Sequence, residues 1–183
     1  MSNCIKQDVG ILGGSFDPPH EGHAALIRSA FGTGNIGAVW VVPALSHRGG
    51  KSLSAYGHRI KMCEIMAASI DHDVRVLRTE SEVNIRGLSA RLVSHFSRTH
   101  PDQAFRFLVG DDVAAFMARW PDMDVIEQLA PPLIFPRIQK LDGLELSSTQ
   151  ARHRLSSSDF TKGLLLDAVR QYAVKHLLYS DRS

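Results

Sequence analysis

The stretch Asp8-Val9-Gly10-Ile11-Leu12-Gly13-Gly14-Ser15-Phe16-Asp17-Pro18-Pro19-His20-Glu21-Gly22-His23 changes character twice. Asp8 to Leu12 is a short apolar run, and Gly13-Gly14 stops it, which predicts a buried strand closed by a turn. Beyond His20 the segment GHAALIRSAF sets Ala24, Leu26, Ile27 and Phe31 at helical spacings. Strand, glycine turn and helix in that order begin a βαβ unit.

The alternation continues outward. Ile36 to Val42 (IGAVWVV), closed by Pro43, predicts a second strand, and a helix follows from about Ser54 to Ile70. Val74, Val76 and Leu77 mark a third strand, and Leu88, Leu92, Val93 and Phe96 a helix that ends before Pro101. Phe105 to Val109 with Gly110 is a fourth strand, and Asp111 or Asp112 opens a short helix to Trp120. Leu133 to Phe135 supplies a fifth strand, before helices from about Ser148 and from about Leu164 to Leu178. Alternating elements imply crossovers of one hand and a parallel sheet. The strand runs are apolar throughout rather than alternating, as expected where helices cover both faces. The fold class is α/β: a doubly wound parallel sheet of about five strands. Residues 1–183 suit one domain. On such sheets ligands sit at the carboxyl ends of the strands, where strand order reverses.

Composition narrows the function. Apolar residues at 44% and charged residues at 22% exclude a disordered, collagen-like or coiled-coil chain. A net charge of +2 without a long basic run argues against coating nucleic acid, though a local cluster can still hold one polyanionic small molecule. Cys4 and Cys63, far apart and without a CxxC pair, form neither a zinc knuckle nor a disulfide scaffold. The first ten residues lack a secretory pattern, and no apolar stretch approaches membrane-spanning length. These features predict a cytoplasmic protein with no membrane partner.

Two matches mislead. Gly32-Thr33-Gly34-Asn35-Ile36-Gly37 fits GxGxxG, but it follows a helix and enters a strand, so its glycines serve a C-cap and a turn. Gly50-Lys51-Ser52 resembles the end of a P-loop, but Leu45 stands where that pattern requires glycine.

Gly13 to His23 carries the chemistry. Gly13 and Gly14 let backbone amides approach a ligand, and Pro18-Pro19 stiffen the loop. If His20 and His23 occupy the first helical turn, both imidazoles share a face beside the free amides of the helix start. That set of donors suits phosphate. A histidine near a helix start is more often a cap, and a histidine pair can hold a metal, but no third ligand is evident. A second segment, Leu146-Ser147-Ser148-Thr149-Gln150-Ala151-Arg152, offers hydroxyls and amides at a helix start with a guanidinium one turn in. Alone it reads as a plain cap and a surface arginine. Beside the first segment it reads as a second grip on phosphate.

GGSFDPPHEGH resembles the signature of the nucleotidyltransferases with an HxGH motif, which are built on a Rossmann-like sheet, and LSSTQAR resembles the ISSTxxR segment of the same superfamily. The nearest likeness is to the bacterial nicotinate-nucleotide adenylyltransferases, over nearly the whole chain. Ser46-His47-Arg48 with the following Arg59-Ile60-Lys61-Met62, Phe107 to Asp112, Trp120, and the ending Val169 to Tyr179 each resemble segments of that family. The resemblance implies transfer of AMP from ATP to the phosphate of nicotinate or nicotinamide mononucleotide, giving a dinucleotide and pyrophosphate for NAD biosynthesis. It implies His20 and His23 as catalytic residues. It places ATP on Gly13, Gly14, Ser15, Phe16, Asp112, Ser147, Ser148, Thr149 and Arg152. Mg²⁺ arrives with ATP, and no all-protein metal site is expected. The acceptor falls to His47, Arg48 and Trp120. A helix cap for Asp112, a core or rim aromatic for Trp120 and solvated loop charges for His47 and Arg48 are the plainer readings.

One departure stands out. Where the family carries a Tyr-Thr pair that reads the nicotinate carboxylate, this chain has Asn84-Ile85-Arg86-Gly87-Leu88-Ser89-Ala90, and the segment Pro136 to Glu145 is shorter than the family's loop. The acceptor therefore stays open to nicotinamide mononucleotide or another phosphorylated molecule. A related nucleotidyltransferase acting on phosphopantetheine or a sugar phosphate, and a non-catalytic nucleotide sensor, are the alternatives. A homo-oligomer is compatible with the sequence, which declares no interface.

Overall fold

In the computed structural model, which describes residues 7–46, 50, 52–83, 85, 88–136, 140–141, 144–157 and 163–180, a parallel sheet is the frame. Its strands are β1 (Asp8–Gly14), β2 (Ile36–Pro43), β3 (Val74–Val76), β4 (Phe105–Gly110) and β5 (Pro132–Phe135), in the spatial order β3-β2-β1-β4-β5. Leu12 pairs with Val41 on one side, and Ile11 pairs with Phe107 on the other. The chain steps outward from β1 to β2 and β3, then returns to place β4 against the far side of β1. Strand order therefore reverses between β1 and β4, and their carboxyl ends open a crevice there.

The strands are apolar on both faces because both faces are covered. Leu12, Val39, Val41 and Leu108 pack into a core with Ile27 of α1 (Glu21–Gly32), Met62 and Met66 of α2 (Tyr56–Ala68) and Val169 of α8 (Asp167–Lys175). The alternate residues Val9, Ile11, Trp40, Val42 and Phe107 pack into a second core with Val93 and Phe96 of α4 (Ser89–Thr99) and Ile126 of α6 (Met123–Leu129). A period of two within each strand thus serves two cores.

The remaining elements adjust the sequence reading. The helix opening at Asp111 is α5 (Asp111–Met117), and it ends before Trp120, whose N–H closes a turn on the Met117 carbonyl at 2.8 Å. α6, the short α3 (Thr79–Glu82) and the antiparallel pair of β6 (Lys140–Leu141) and β7 (Leu144–Glu145) were not expected; α3, β6 and β7 are too brief to display a period. α7 (Ser148–Ser156) begins as expected, whereas α8 is shorter at both ends than Leu164 to Leu178. The GxGxxG match ends α1: Thr33 is its C-cap and Gly34 takes φ 74°, a conformation that glycine adopts freely. Lys51 of the P-loop-like match, Cys4 and the positions Asn84, Arg86 and Gly87 lie outside the described residues. Among the described residues, no helix is long and apolar enough to cross a membrane.

Candidate active site

His20 ends the loop from β1 and stands at the N-cap of α1, with extended φ and ψ of −136° and 172°. The sequence placed both histidines in the first helical turn; the structure puts His20 one step before it and His23 at its third position. The Gly22 N–H donates to Nδ1 of His20 at 3.1 Å, and the His20 N–H donates to Nδ1 of His23 at 3.1 Å. This reciprocal cap satisfies two donors that a helix start leaves over. It also sets the tautomer. A backbone N–H can only donate, so each Nδ1 is an acceptor and the proton of each neutral ring sits on Nε2. The ring centroids lie 3.8 Å apart, and Phe16 backs His23 at 4.8 Å. Phe16 holds φ 48°, unusual for a residue with a side chain, and its ring is buried.

Gly22 makes the stack possible. A Cβ at that position would lie 2.9 Å from Cε1 and Nδ1 of His20. Alanine normally stabilises a helix interior by about 0.5–1 kcal/mol over glycine. Gly22→Ala is therefore expected to leave the melting temperature nearly unchanged while turning the His20 ring and cutting turnover about tenfold or more, the scale of small misplacements. Thermal melts and steady-state rates on one preparation check it, and parallel losses in both would refute it.

The second motif closes over the same loop. Ser147 is the N-cap of α7, and its Oγ accepts the Gln150 N–H at 3.1 Å, which leaves its O–H as a donor. Ser148 Oγ donates to the Pro18 carbonyl at 2.8 Å. Nη1 of Arg152 donates to the Asp17 carbonyl at 2.6 Å, and its Nη2 donates to Thr149 Oγ1 at 3.2 Å. Arg152 thus grips the loop three residues before His20, although 135 positions separate it from Asp17.

Two cavities open at the strand ends. One of about 190 Å³ is lined by His20, His23, Gly110 and Asp112 among others. The other, of about 410 Å³, takes in Gly14, Ser15, Ser46, Glu80, Ser89 and Pro121. Gly13, Phe107, Val113 and Trp120 line both, so the cavities meet at this wall. Trp120 stands edge-on to Phe107 with centroids 6.0 Å apart. Gly110, not Asp112, is the N-cap of α5, which sets the capping explanation of Asp112 aside. Ser147, Ser148, Thr149 and Arg152 line neither cavity, and neither does Phe16. His47 and Arg48 lie outside the described residues.

Sequence reading quoted Asp17 and Arg59 without the part they play behind the loop, and it missed Glu80. Arg59 is buried in α2, and its guanidinium donates to the carbonyls of Ser54 (2.9 Å), Ser15 (2.8 Å), Ala44 (2.7 Å) and Leu45 (3.2 Å). Burial pulls its pKa below the ordinary guanidinium value, and the Asp17 carboxylate is the main opposing influence. Asp17 is buried and accepts from the Ser54 N–H at 3.2 Å and the Tyr179 hydroxyl at 2.8 Å. Glu80 is 4% exposed, and its Oε2 accepts the Leu45 N–H at 3.0 Å. A signal existed for Arg59: it lies on the stripe of Tyr56, Ile60 and Cys63, where a charge is out of place. Cys63 is inert, because burial raises its thiol far above the ordinary range.

Comparison with known proteins agrees with this geometry. The model of the cytidylyltransferase-like family matches residues 11–161. A protein of Anaeromyxobacter dehalogenans named "Probable nicotinate-nucleotide adenylyltransferase" is 32% identical over 182 residues, covering 94% of this chain and 97% of its own. A protein of the same name from Myxococcus xanthus is 29% identical over 178 residues, covering 93% and 94%. The solved structure of Plasmodium falciparum nicotinic acid mononucleotide adenylyltransferase complexed with NaAD superposes with a TM-score of 0.76 at 20% identity, over 94% of this chain and 97% of that one. That likeness establishes the Rossmann-like fold.

Proposed function

The chain belongs to the cytidylyltransferase-like family and to the nicotinate-nucleotide adenylyltransferases, and on that footing we propose that it joins AMP from ATP to the phosphate of a pyridine mononucleotide. The observation that carries the reading is the reciprocal histidine cap, with Arg152 holding the same loop. The acceptor phosphate is already an anion at neutral pH, so no base and no covalent enzyme intermediate are needed. One acceptor oxygen bonds the α-phosphorus, the bond to the bridging oxygen breaks, and pyrophosphate leaves with that electron pair. The work of the protein is to hold anions in line and to stabilise charge as it shifts.

The residues divide that work. His23 and His20 turn Nε2–H groups to the α-phosphate, where charge gathers in the transition state. Arg152, with Ser148 and Thr149, serves the β- and γ-phosphates: its Nη1 stays on the Asp17 carbonyl while other N–H groups of the guanidinium meet phosphate oxygens. Ser147 holds the helix start that presents them. Gly13 and Asp112 line the cavity beside the histidines, where the nucleotide sits, and Gly14, Ser15 and Phe16 continue the same loop, Gly14 and Ser15 along the larger cavity. Trp120 stacks on the pyridine, and His47 and Arg48 meet the acceptor anion. Among the described residues no group of three or more His, Cys, Asp or Glu is placed to hold a metal ion. Mg²⁺, when carried with ATP, would supply positive charge to offset that of the pyrophosphate, while Arg152, Ser148 and Thr149 hold the triphosphate.

One observation favours a second acceptor. The sequence has Asn84 to Ala90 where the family carries the Tyr-Thr pair, and the buried side chain of Glu80 forms part of the wall of the larger cavity. A carboxylate repels the acid of nicotinate and accepts from the amide of nicotinamide. The test is turnover of ATP and Mg²⁺ with nicotinate mononucleotide, nicotinamide mononucleotide and phosphopantetheine, with pyrophosphate and dinucleotide both measured. One of the pyridine substrates is expected to dominate. Glu80→Gln is expected to move the nicotinate-to-nicotinamide ratio of kcat/KM about tenfold toward nicotinate, the scale of one charge contact. A ratio unmoved by the substitution removes Glu80 from acceptor choice. Turnover confined to phosphopantetheine refutes the pyridine assignment.

A further inference from the structure

We infer that Tyr179 is a positioning residue for adenylyl transfer, setting through Asp17 where Arg152 stands over the loop between β1 and α1. The inference rests on the adenylyltransferase reading and adds to it a residue from the far end of the chain. α8 ends at Lys175, and the turn that follows carries Leu177 at φ 50° and Tyr179 at φ 73°. Side chains are strained in that region of backbone space, and such strain persists only where the surroundings hold it. What holds it is the buried Tyr179 ring, packed in the core of Leu12, Phe16 and Leu165, with its hydroxyl on Asp17.

Asp17 is fastened from both sides. Oδ1 accepts from Tyr179 and Oδ2 accepts from the Ser54 N–H. Both partners donate, so a carboxylate satisfies both, while an amide would accept one and turn its own N–H₂ on the other. Ser54 is itself held by Arg59 through its carbonyl. With its side chain fixed, Asp17 presents its backbone carbonyl to Nη1 of Arg152 at 2.6 Å, and the next carbonyl, of Pro18, receives the Ser148 hydroxyl. A line from Tyr179 through Asp17 to Arg152 therefore joins three segments far apart in sequence. Burial, and next the Asp17 charge, hold the phenol pKa far above its ordinary value, so the hydroxyl remains a donor at every working pH.

The test is Tyr179→Phe, which removes one oxygen and keeps the ring. kcat/KM for ATP is expected to fall about ten- to a hundredfold, the scale of an ångström's misplacement. KM for the mononucleotide should move by less than about twofold, because this line reaches Arg152 and not the acceptor cavity. In an Arg152→Ala background the same substitution should have almost no further effect, since residues acting through one another are non-additive. A purely structural role would lower the melting temperature and leave the kinetics of the folded enzyme alone. Wild-type kcat/KM in the variant, or a loss that adds in full to that of Arg152→Ala, overturns the inference. Absence of dinucleotide with the unaltered protein instead overturns the adenylyltransferase reading. If Tyr179→Phe does not fold, Asp17→Asn carries the same test with the same criteria.

Discussion

His23→Ala is expected to lower kcat for pyrophosphate release by at least about a hundredfold, the cost of one preorganised donor at developing charge. ATP affinity at equilibrium should change much less, because the contact strengthens as the α-phosphate gains charge. The substitution also removes the acceptor of the His20 N–H, and losing half a cap costs about 0.5–1 kcal/mol of stability. His23→Asn separates the two effects. The Asn oxygen can replace Nδ1 as acceptor for His20, but nothing replaces Nε2–H. The asparagine variant should therefore melt close to the unaltered protein and remain as slow as the alanine variant. Pyrophosphate release at the original rate in both would leave a nucleotide-binding protein whose paired imidazoles do no chemistry.

The sheet was readable because its strands are long apolar runs with clean stops. Pro43, Gly110 and the Gly13-Gly14 pair each end a strand where the sequence suggests. The brief α3, β6 and β7 were not readable: at two to four residues they barely complete one hydrophobic period and, unlike β3 and β5, carry no apolar run. α8 was overdrawn because Leu177 and Leu178 continue the apolar pattern after the backbone has turned aside at Leu177.

The candidate site divides along a similar line. Motif residues could be named, since glycines, histidines and hydroxyls at fixed spacing imply a loop that meets a helix start. Their division of labour could not. Whether Ser147 caps and Ser148 reaches Pro18 depends on how α7 is seated against a loop 130 positions away. The support behind the loop was harder still. Asp17 was quoted within the motif, yet nothing local shows that a tyrosine 162 residues later donates to it. His47 and Arg48 remain proposals, as they lie outside the described residues.

The largest effect on stability is expected at Arg59. Its side chain is 1% exposed, and Arg59→Met keeps most of its volume while removing the charge and every donor. The carbonyls of Ser15, Ser54, Ala44 and Leu45 then lose their partner. Each is backbone of the two loops that frame the larger cavity or support Asp17. The Asp17 carboxylate also loses the positive charge it interacts with on the far side of the loop. Breaking a buried charge arrangement by removing one partner costs about 3–5 kcal/mol. At roughly 2–4 °C per kcal/mol for a chain of this size, the melting temperature should fall by about 6–20 °C. Lysine keeps the charge but not the planar fork, and it cannot reach carbonyls on three sides at once. Arg59→Lys is therefore expected to recover less than half of the loss. A methionine variant melting within about 2 °C of the unaltered protein, a shift worth under about 1 kcal/mol, would mean that water takes over the four carbonyls and that Arg59 does not organise the loops.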